Sequence, residues 1–406
     1  MMMRANILGV VFVLFASVSM PASAGQDMEE MMRMVKALKE RVEQLEYQLA
    51  QQSHKVEQVT AATERARSEQ VQETAQRLAK LEESKETGSR FGGIDFHGVV
   101  EVEATSGDDH TGTDGSDITL ATVELGFDFT VFDDWVTGTF MSLYEDDDTE
   151  DWTVDEAHFT IGNTEKFPIY LTAGRMYVPF GKFETNMVSD TLALEIGETQ
   201  EAAVLVGFEK NNFYGSAYVF NGDLDEAGDD EIENYGFNIG YAMEGENSLL
   251  DIGLDWTNSL SDADLFEDYI ASPIKDYVAG YSVHGIYRTG PWSFMGEYLS
   301  ASDNFLETEL SWKGKGAEPE AWNLEVGYDF EAFGGRESNI AIGIQGTREA
   351  VALELPEDKF LVGMSTILYE NTSLALEYSH ADDYSVSDGG SGTDGDTLTL
   401  QVAVEF

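Results

Sequence analysis

Two groups of charged side chains in this 406-residue sequence are spaced so that they could do chemistry. The first is a series of carboxylates at alternating positions within apolar runs: Glu101, Glu103, Glu124, Asp128, Asp251, Asp255, Glu297, Glu325, Asp329, Glu377 and Glu405. On a strand, alternate residues share one face, so each belongs to a polar face opposite an apolar one. A wall carrying one sign of charge concentrates counter-ions and repels co-ions. Glu124, Asp128, Asp251, Asp255, Glu325, Asp329 and Glu377 are the expected lumen wall of a barrel, with solvation at the strand ends as the competing account. The second group lies in and beside segment 176–202. There Arg175 and Lys182 are mixed with Glu184, Asp190, Glu195, Glu198 and Glu201, a combination that could set a transverse field across a constriction. A long loop packed on the rim is the alternative.

Catalytic chemistry finds no foothold. The sequence has no G-x-S-x-G elbow, no H-E-x-x-H, no Walker loop and no dinucleotide fingerprint. The six histidines (His54, His97, His110, His158, His284, His380) are scattered without ligand spacing, and cysteine is absent, so neither a thiolate nor a disulfide framework is available. Two Asp/Gly-rich stretches, Asp108 to Asp117 and Asp388 to Asp396, lack the terminal Glu of a calcium loop and read as solvated loops, with weak calcium or magnesium binding that bridges to lipopolysaccharide as the alternative. The expectation is therefore a protein that is not an enzyme and that carries no cofactor or metal.

The elements that must position these charges alternate with period two. Val123, Leu125, Phe127, Phe129 and Val131 interleave with Glu124, Gly126, Asp128 and Thr130, and Trp322, Leu324, Val326, Tyr328 and Phe330 interleave with Asn323, Glu325, Gly327 and Asp329. A soluble sandwich would bury the apolar face on a second sheet. Here the opposite face is acidic and small, as a water-filled lumen requires. About sixteen such runs succeed one another, the pattern of a closed antiparallel transmembrane barrel over 91–406. They lie near 94–104, 117–131, 135–144, 152–161, 169–175, 203–209, 213–220, 233–243, 248–257, 277–287, 291–299, 321–330, 339–346, 360–369, 373–380 and 397–406. Long connections (105–116, 176–202, 221–232, 258–276, 300–320, 347–359 and 381–396) take turns with tight ones such as 244–247 and Thr289-Gly290. Long loops on one rim and short turns on the other characterise outer-membrane barrels. An even strand number returns both barrel ends to the periplasmic side, and the strand ending on Phe406 resembles the terminal aromatic signal of such proteins.

Upstream the pattern changes. Arg4, the apolar stretch Ile7 to Met20 and Ala22-Ser23-Ala24 read as a signal peptide over 1–24. Over 27–86, Val35, Leu38, Val42, Leu45, Leu49, Val56 and Val59 fall on a and d positions of a heptad, interrupted at Gln52. This predicts an α-helical coiled coil, a rod of roughly 90 Å if unbroken, whose sparse apolar stripe calls for self-association into a homo-oligomer. The net charge of −54 is very unevenly divided. Of 23 basic and 77 acidic residues, 12 and 13 lie within 1–90, leaving 11 basic against 64 acidic for 91–406. Such a block repels nucleic acid. Outer-membrane lipid and lipopolysaccharide are the partners that a barrel of this kind implies, and salt adaptation is the bland account of its charge.

Three motifs add a resemblance. They are G-R-M-Y-V-P-F-G-K-F-E-T-N-M from Gly174 to Met187, E-I-G-E-T from Glu195 to Thr199, and F-Y-G-S-A-Y-V-F-N-G-D from Phe213 to Asp223. With the plan of signal, coil and barrel, the sequence resembles the LbtU family of siderophore porins along nearly its whole length. The resemblance implies an outer-membrane channel taking up ferric siderophores without a plug domain, and it carries over no binding residues. Many ferric siderophores are anionic, so an acidic lumen would need basic guides, for which Arg175, Lys182, Lys210, Arg288 and Arg348 are candidates. Three readings stay open: a small-solute uptake channel with siderophores as cargo, a general cation-selective diffusion porin, and a structural tether whose coil reaches into the periplasm.

Overall fold

A computed structural model describes Lys36 and residues 93–132, 134–145, 152–226 and 232–406. The expected signal peptide, and the coiled coil over 27–86 apart from Lys36, lie outside the described residues. Among the described residues no helix is long and apolar enough to cross a membrane.

Sixteen antiparallel strands form one closed barrel. In chain order they are β1 Ile94–Asp108, β2 Asp114–Val131, β3 Val136–Glu145, β4 Thr153–Ile161, β5 Ile169–Tyr177, β6 Gln200–Lys210, β7 Phe213–Phe220 and β8 Asn234–Gly245. They continue as β9 Ser248–Thr257, β10 Gly280–Thr289, β11 Trp292–Ala301, β12 Glu320–Ala332, β13 Arg336–Arg348, β14 Asp358–Tyr369, β15 Thr372–Asp382 and β16 Asp394–Glu405. Each expected run falls on one of them. β1 closes the ring by pairing with β16, Val99 opposite Glu405 and Gly107 opposite Thr397. Gly98 and Phe406 exchange two backbone hydrogen bonds of 3.0 Å at the seam.

The outward phase is built for lipid. Val204, Val206, Ile239, Ile252, Leu254, Val283, Leu324, Ile342 and Leu400 are exposed on it. Aromatic pairs flank this aliphatic band: Phe213–Tyr241 and Trp292–Tyr328 near the tight turns, Tyr235–Trp256 and Tyr281–Tyr298 near the long loops. An aliphatic belt between aromatic girdles is the surface a bilayer selects.

The expected long loop 105–116 is a correction. β1 and β2 stay paired to Asp108 opposite Asp114, so only Asp109–Thr113 turn. Asp109 ties that tip by accepting from Thr111 N at 2.8 Å and Thr113 N at 2.9 Å. A hairpin standing beyond the membrane has no apolar face to bury, so its strands lose the alternation that marks the rest.

The interior also differs from a uniformly wet lumen. The loops of the long-loop rim share an apolar core that includes Phe180, Leu192, Ile196, Leu260, Phe266 and Leu353. Two short helices frame it, α1 Leu192–Gly197 and α2 Asp264–Tyr269. Thr191 caps α1 by accepting from Leu194 N. Burying large apolar side chains contributes about 1.5–3 kcal/mol apiece, enough to give these loops a fixed fold.

Candidate functional site

The segment between β5 and β6 descends along the inner wall. Its turn inward begins at Val178-Pro179-Phe180-Gly181, where Gly181 has φ of 86°. A Cβ there would stand 2.0 Å from Cζ of Phe183, so only glycine admits this fold-back. A descending loop buries backbone N–H groups that no strand partner can take, and each needs an acceptor. The wall carboxylates provide them.

Asp255 on β9 accepts from Gly181 N at 3.3 Å. Glu297 on β11 accepts from Lys182 N at 2.9 Å, Phe183 N at 2.8 Å and Ser282 Oγ at 2.6 Å. Glu325 on β12 accepts from Thr185 Oγ1 at 2.6 Å and Asn186 N at 2.9 Å. Glu377 on β15 accepts from Val188 N at 2.6 Å, Ser189 N at 3.2 Å and Ser189 Oγ at 2.7 Å. Gln345 on β13 closes the series by accepting from Leu192 N at 3.0 Å. Hydrogen bonds to an ionised acceptor contribute about 1.5–3 kcal/mol each. The loop is therefore seated firmly along one side of the bore.

Side-chain ion pairs reinforce the seat. Lys182 Nζ stands 3.6 Å from Asp251 and 3.8 Å from Glu184, and Glu184 accepts from Arg288 Nη2 at 2.7 Å. Lys359 on β14 donates to Ser189 Oγ at 3.1 Å. Its charge also acts on Asp190, Glu195 and Glu377.

The expected lumen-wall residues thus separate into two sets. Asp251, Asp255, Glu325 and Glu377 face inward but lie beneath the loop, between 2% and 8% exposed. Glu124 and Asp128 on β2 face inward and remain half-exposed or exposed. Asp329 on β12 is inward near the tight turns, where Asn339 Nδ2 donates to it at 2.6 Å. On the uncovered side Glu101, Glu103, Glu124, Glu156, His97 and His158 line β1, β2 and β4 with intermediate exposure. Gln401 Nε2 donates to Glu103 at 2.9 Å across the closing seam.

Of the expected constriction residues, Lys182 and Glu184 lie in the descending limb and are paired. Asp190, Glu195 and Glu198 lie in the ascending limb. The charge of Asp190 reaches Glu101 on the opposite wall, and Glu198 is within reach of Asp190, Glu145 and Asp155. Burial, followed by the charges of Asp264 and Asp190, pushes the Glu198 carboxyl up to about 8. Burial raises Asp190 and Glu195 as well, with Lys359 opposing in both cases. Glu201 is buried on β6 at the mouth and clusters with Asp223 and Glu267. Arg175 does not join the constriction. It occupies the phase opposite to buried Thr172 and Met176, and hydrogen-bonds Gln200 at the rim. A guanidinium beside the apolar phase of a strand end reaches for the nearest polar rim. Lys210 is the last residue of β6, at a tight turn, and Arg348 stands 3.9 Å from Glu320.

Sequence reasoning missed Lys359, the cation behind Asp190 and Glu195, and placed no acceptor role on the wall carboxylates. The alternation marks the face of a residue but carries no signal of what lies above it. For Lys359, its place in an inward phase between Asp358 and Phe360 was the available hint.

A sixteen-stranded barrel with an inserted loop after β5 is the porin fold. Solved structures agree on that fold. The chain matches the outer-membrane channel DcaP of Acinetobacter baumannii with a TM-score of 0.54 at 15% identity, covering 77% of this chain and 97% of that one. It matches an anion-selective porin from Comamonas acidovorans with a TM-score of 0.55 at 12% identity, covering 77% and 99%. Salmonella typhi OmpF gives 0.54 at 12% identity, covering 79% and 99%. By sequence the chain is 27% identical over 311 residues to a UPF0422 protein of Coxiella burnetii, covering 73% of this chain and 66% of that protein. It is 28% identical over 281 residues to a UPF0422 protein of Legionella pneumophila strain Lens, covering 61% of this chain and 52% of the relative. The matched region thus spans between half and two thirds of those relatives. No family model matches the chain.

Proposed function

We propose that this barrel is an outer-membrane channel for passive uptake of small solutes, with a preference for cations. One observation carries the reading: the wall opposite the seated loop is left uncovered. It carries the half-exposed carboxylates Glu101, Glu103 and Glu124, and the charge of Asp190 on the loop reaches Glu101 among them. Among the described residues the cation acting on Asp190, Lys359, is committed to Ser189 and to the loop carboxylates. A path walled by carboxylates on both sides draws cations in and turns anions back. Outer-membrane lipid and lipopolysaccharide would surround the aliphatic belt, and homo-oligomers belong to the same reading.

Ferric siderophores are the narrower cargo suggested by the LbtU resemblance. The acidic path favours those complexes that are neutral or positive overall. A pure tether would leave the uncovered wall without a purpose.

Conductance of the purified full chain in planar bilayers under a salt gradient tests the proposal. An open-channel current whose reversal potential reports cation preference is expected. Absence of current from folded barrels defeats the channel reading, and an anion-selective reversal potential defeats the charge argument. Uptake of labelled ferric siderophore by cells with and without the gene decides the cargo: unchanged uptake removes siderophores and leaves the general channel.

A further inference from the structure

Beneath the descending limb, sheet register brings together three groups that are far apart in sequence. His284 on β10 lies directly opposite Glu297 on β11 and opposite Gly253 on β9. Asp255 and Asp251 lie two residues to either side of Gly253, on the same inward phase. A Cβ at Gly253 would stand 2.3 Å from Cε1 of His284, so this glycine is what lets the imidazole lie against the wall. The histidine is 5% exposed, and Asp255 and Glu297 are 2% and 6% exposed. Ligand atoms of Asp255, His284 and Glu297 all fall within 4.8 Å of one another.

The protons of this cluster leave one position unanswered. Tyr214 has a single hydroxyl hydrogen, and it is donated to Asp251 at 2.8 Å. The contact of 3.2 Å between Tyr214 and His284 Nε2 must then run from an Nε2–H to the phenol oxygen. That fixes the tautomer of a neutral ring and leaves Nδ1 as a bare lone pair. Nδ1 is buried without a hydrogen-bond partner. It points at Oδ2 of Asp255 from 3.5 Å. On a neutral ring two lone pairs would face each other in a buried site, which either a proton on Nδ1 or a metal cation between them would relieve. An N–H would draw the pair to about 2.9 Å. Two ligands held about 2.0–2.1 Å from one tetrahedral ion stand about 3.4 Å apart.

We propose that His284 Nδ1, Asp255 and Glu297 form a binding site for a divalent transition-metal ion of the zinc type, with water completing the coordination. One nitrogen and two carboxylate oxygens form an ordinary donor set for such an ion. Tyr214, through Nε2, sets the ring orientation as an outer partner commonly does. Asp255 and Glu297 also receive the N–H groups of Gly181, Lys182 and Phe183. The ion therefore ties the root of the inserted loop to the wall. The inference rests on the seating of the loop and is independent of what the channel carries.

The test uses the full chain folded in detergent and stripped with chelator, with Zn2+ as the probe and Co2+ as its spectroscopic substitute. Equilibrium dialysis with elemental analysis should find one tightly held ion per chain, and Co2+ should give the visible bands of a low-coordinate site. H284Q and D255N should each weaken binding by about tenfold or more. E267Q, which alters the other acidic cluster at the mouth, should leave it unchanged. Folding of every variant is checked by the heat-dependent shift of barrel migration in gels. If H284Q does not fold, the nearly isosteric D255N decides the outcome. Wild-type chain that holds no ion overturns the site. So do D255N binding as tightly as wild type, and a loss produced by E267Q alone.

Discussion

The two halves of the inner wall use the same residue type for different ends. From β9 to β15, Asp255, Glu297, Glu325 and Glu377 are buried and accept hydrogen bonds from the loop. On β1 and β2, Glu101, Glu103 and Glu124 remain half-exposed to the bore. In the covered half a carboxylate is an acceptor for stranded N–H groups, and its charge is answered on the spot. In the open half it is a fixed charge in water, whose reach is limited only by screening. Acidity in a barrel is therefore two quantities: the part that holds the loop and the part that a passing ion meets.

The largest effect should come from breaking the covered half. E325A strands Thr185 and Asn186, at a cost of about 2–4 kcal/mol to the seated loop. Single-channel conductance should rise about twofold or more as the loop lifts, with flicker in the current trace. Selectivity should change little. Conductance equal to wild type would mean the loop is held by the apolar core alone.

The complementary change is E101Q with E124Q in the open half. Conductance should stay within about 30% of wild type while the cation-to-anion permeability ratio falls by about threefold. If selectivity survives that pair and falls instead with E325Q, the roles of the two halves are reversed.

Smaller still is the dependence on pH. Glu198, pushed up to about 8 by burial and by Asp264 and Asp190, is largely protonated at neutral pH. Raising the pH through about 8 ionises it, so cation preference should increase across that range, and E198Q should remove the step. The sign for stability is opposite. A raised carboxyl binds its proton more tightly in the folded chain, so its contribution is present at low pH and is lost as pH rises from the ordinary carboxylate range through about 8. Thermal melts on either side of that window, compared with E198Q, check this.

The smallest effect belongs outside both halves. D109A removes the acceptor of an exposed hairpin tip, with a local cost of about 0.5–1.5 kcal/mol. Conductance and selectivity should match wild type.

How far the barrel can be read from sequence follows from where water and lipid impose a pattern. Val123 to Val131 and Trp322 to Phe330 alternate because one face meets lipid, and all sixteen strands carry some of that signal. Asp108 to Asp117 misled because that part of the hairpin stands in water on both faces. Segment 176–202 stood out through its mixed charges, yet Arg175 is turned away to the rim while Lys182 and Glu184 pair within the seat. The clustering of His284 with Asp255 and Glu297 could not be found by spacing, because register across three strands makes it.

The sequence by itself determined the barrel, its strand number, its alternation of lipid and polar faces and the excess of acid on the inner phase. These follow from local periodicity, which each strand displays alone. Only the tertiary structure decided which acids are free. That depends on where a loop from one wall comes to rest on another, and its unpaired N–H groups choose their acceptors across the bore.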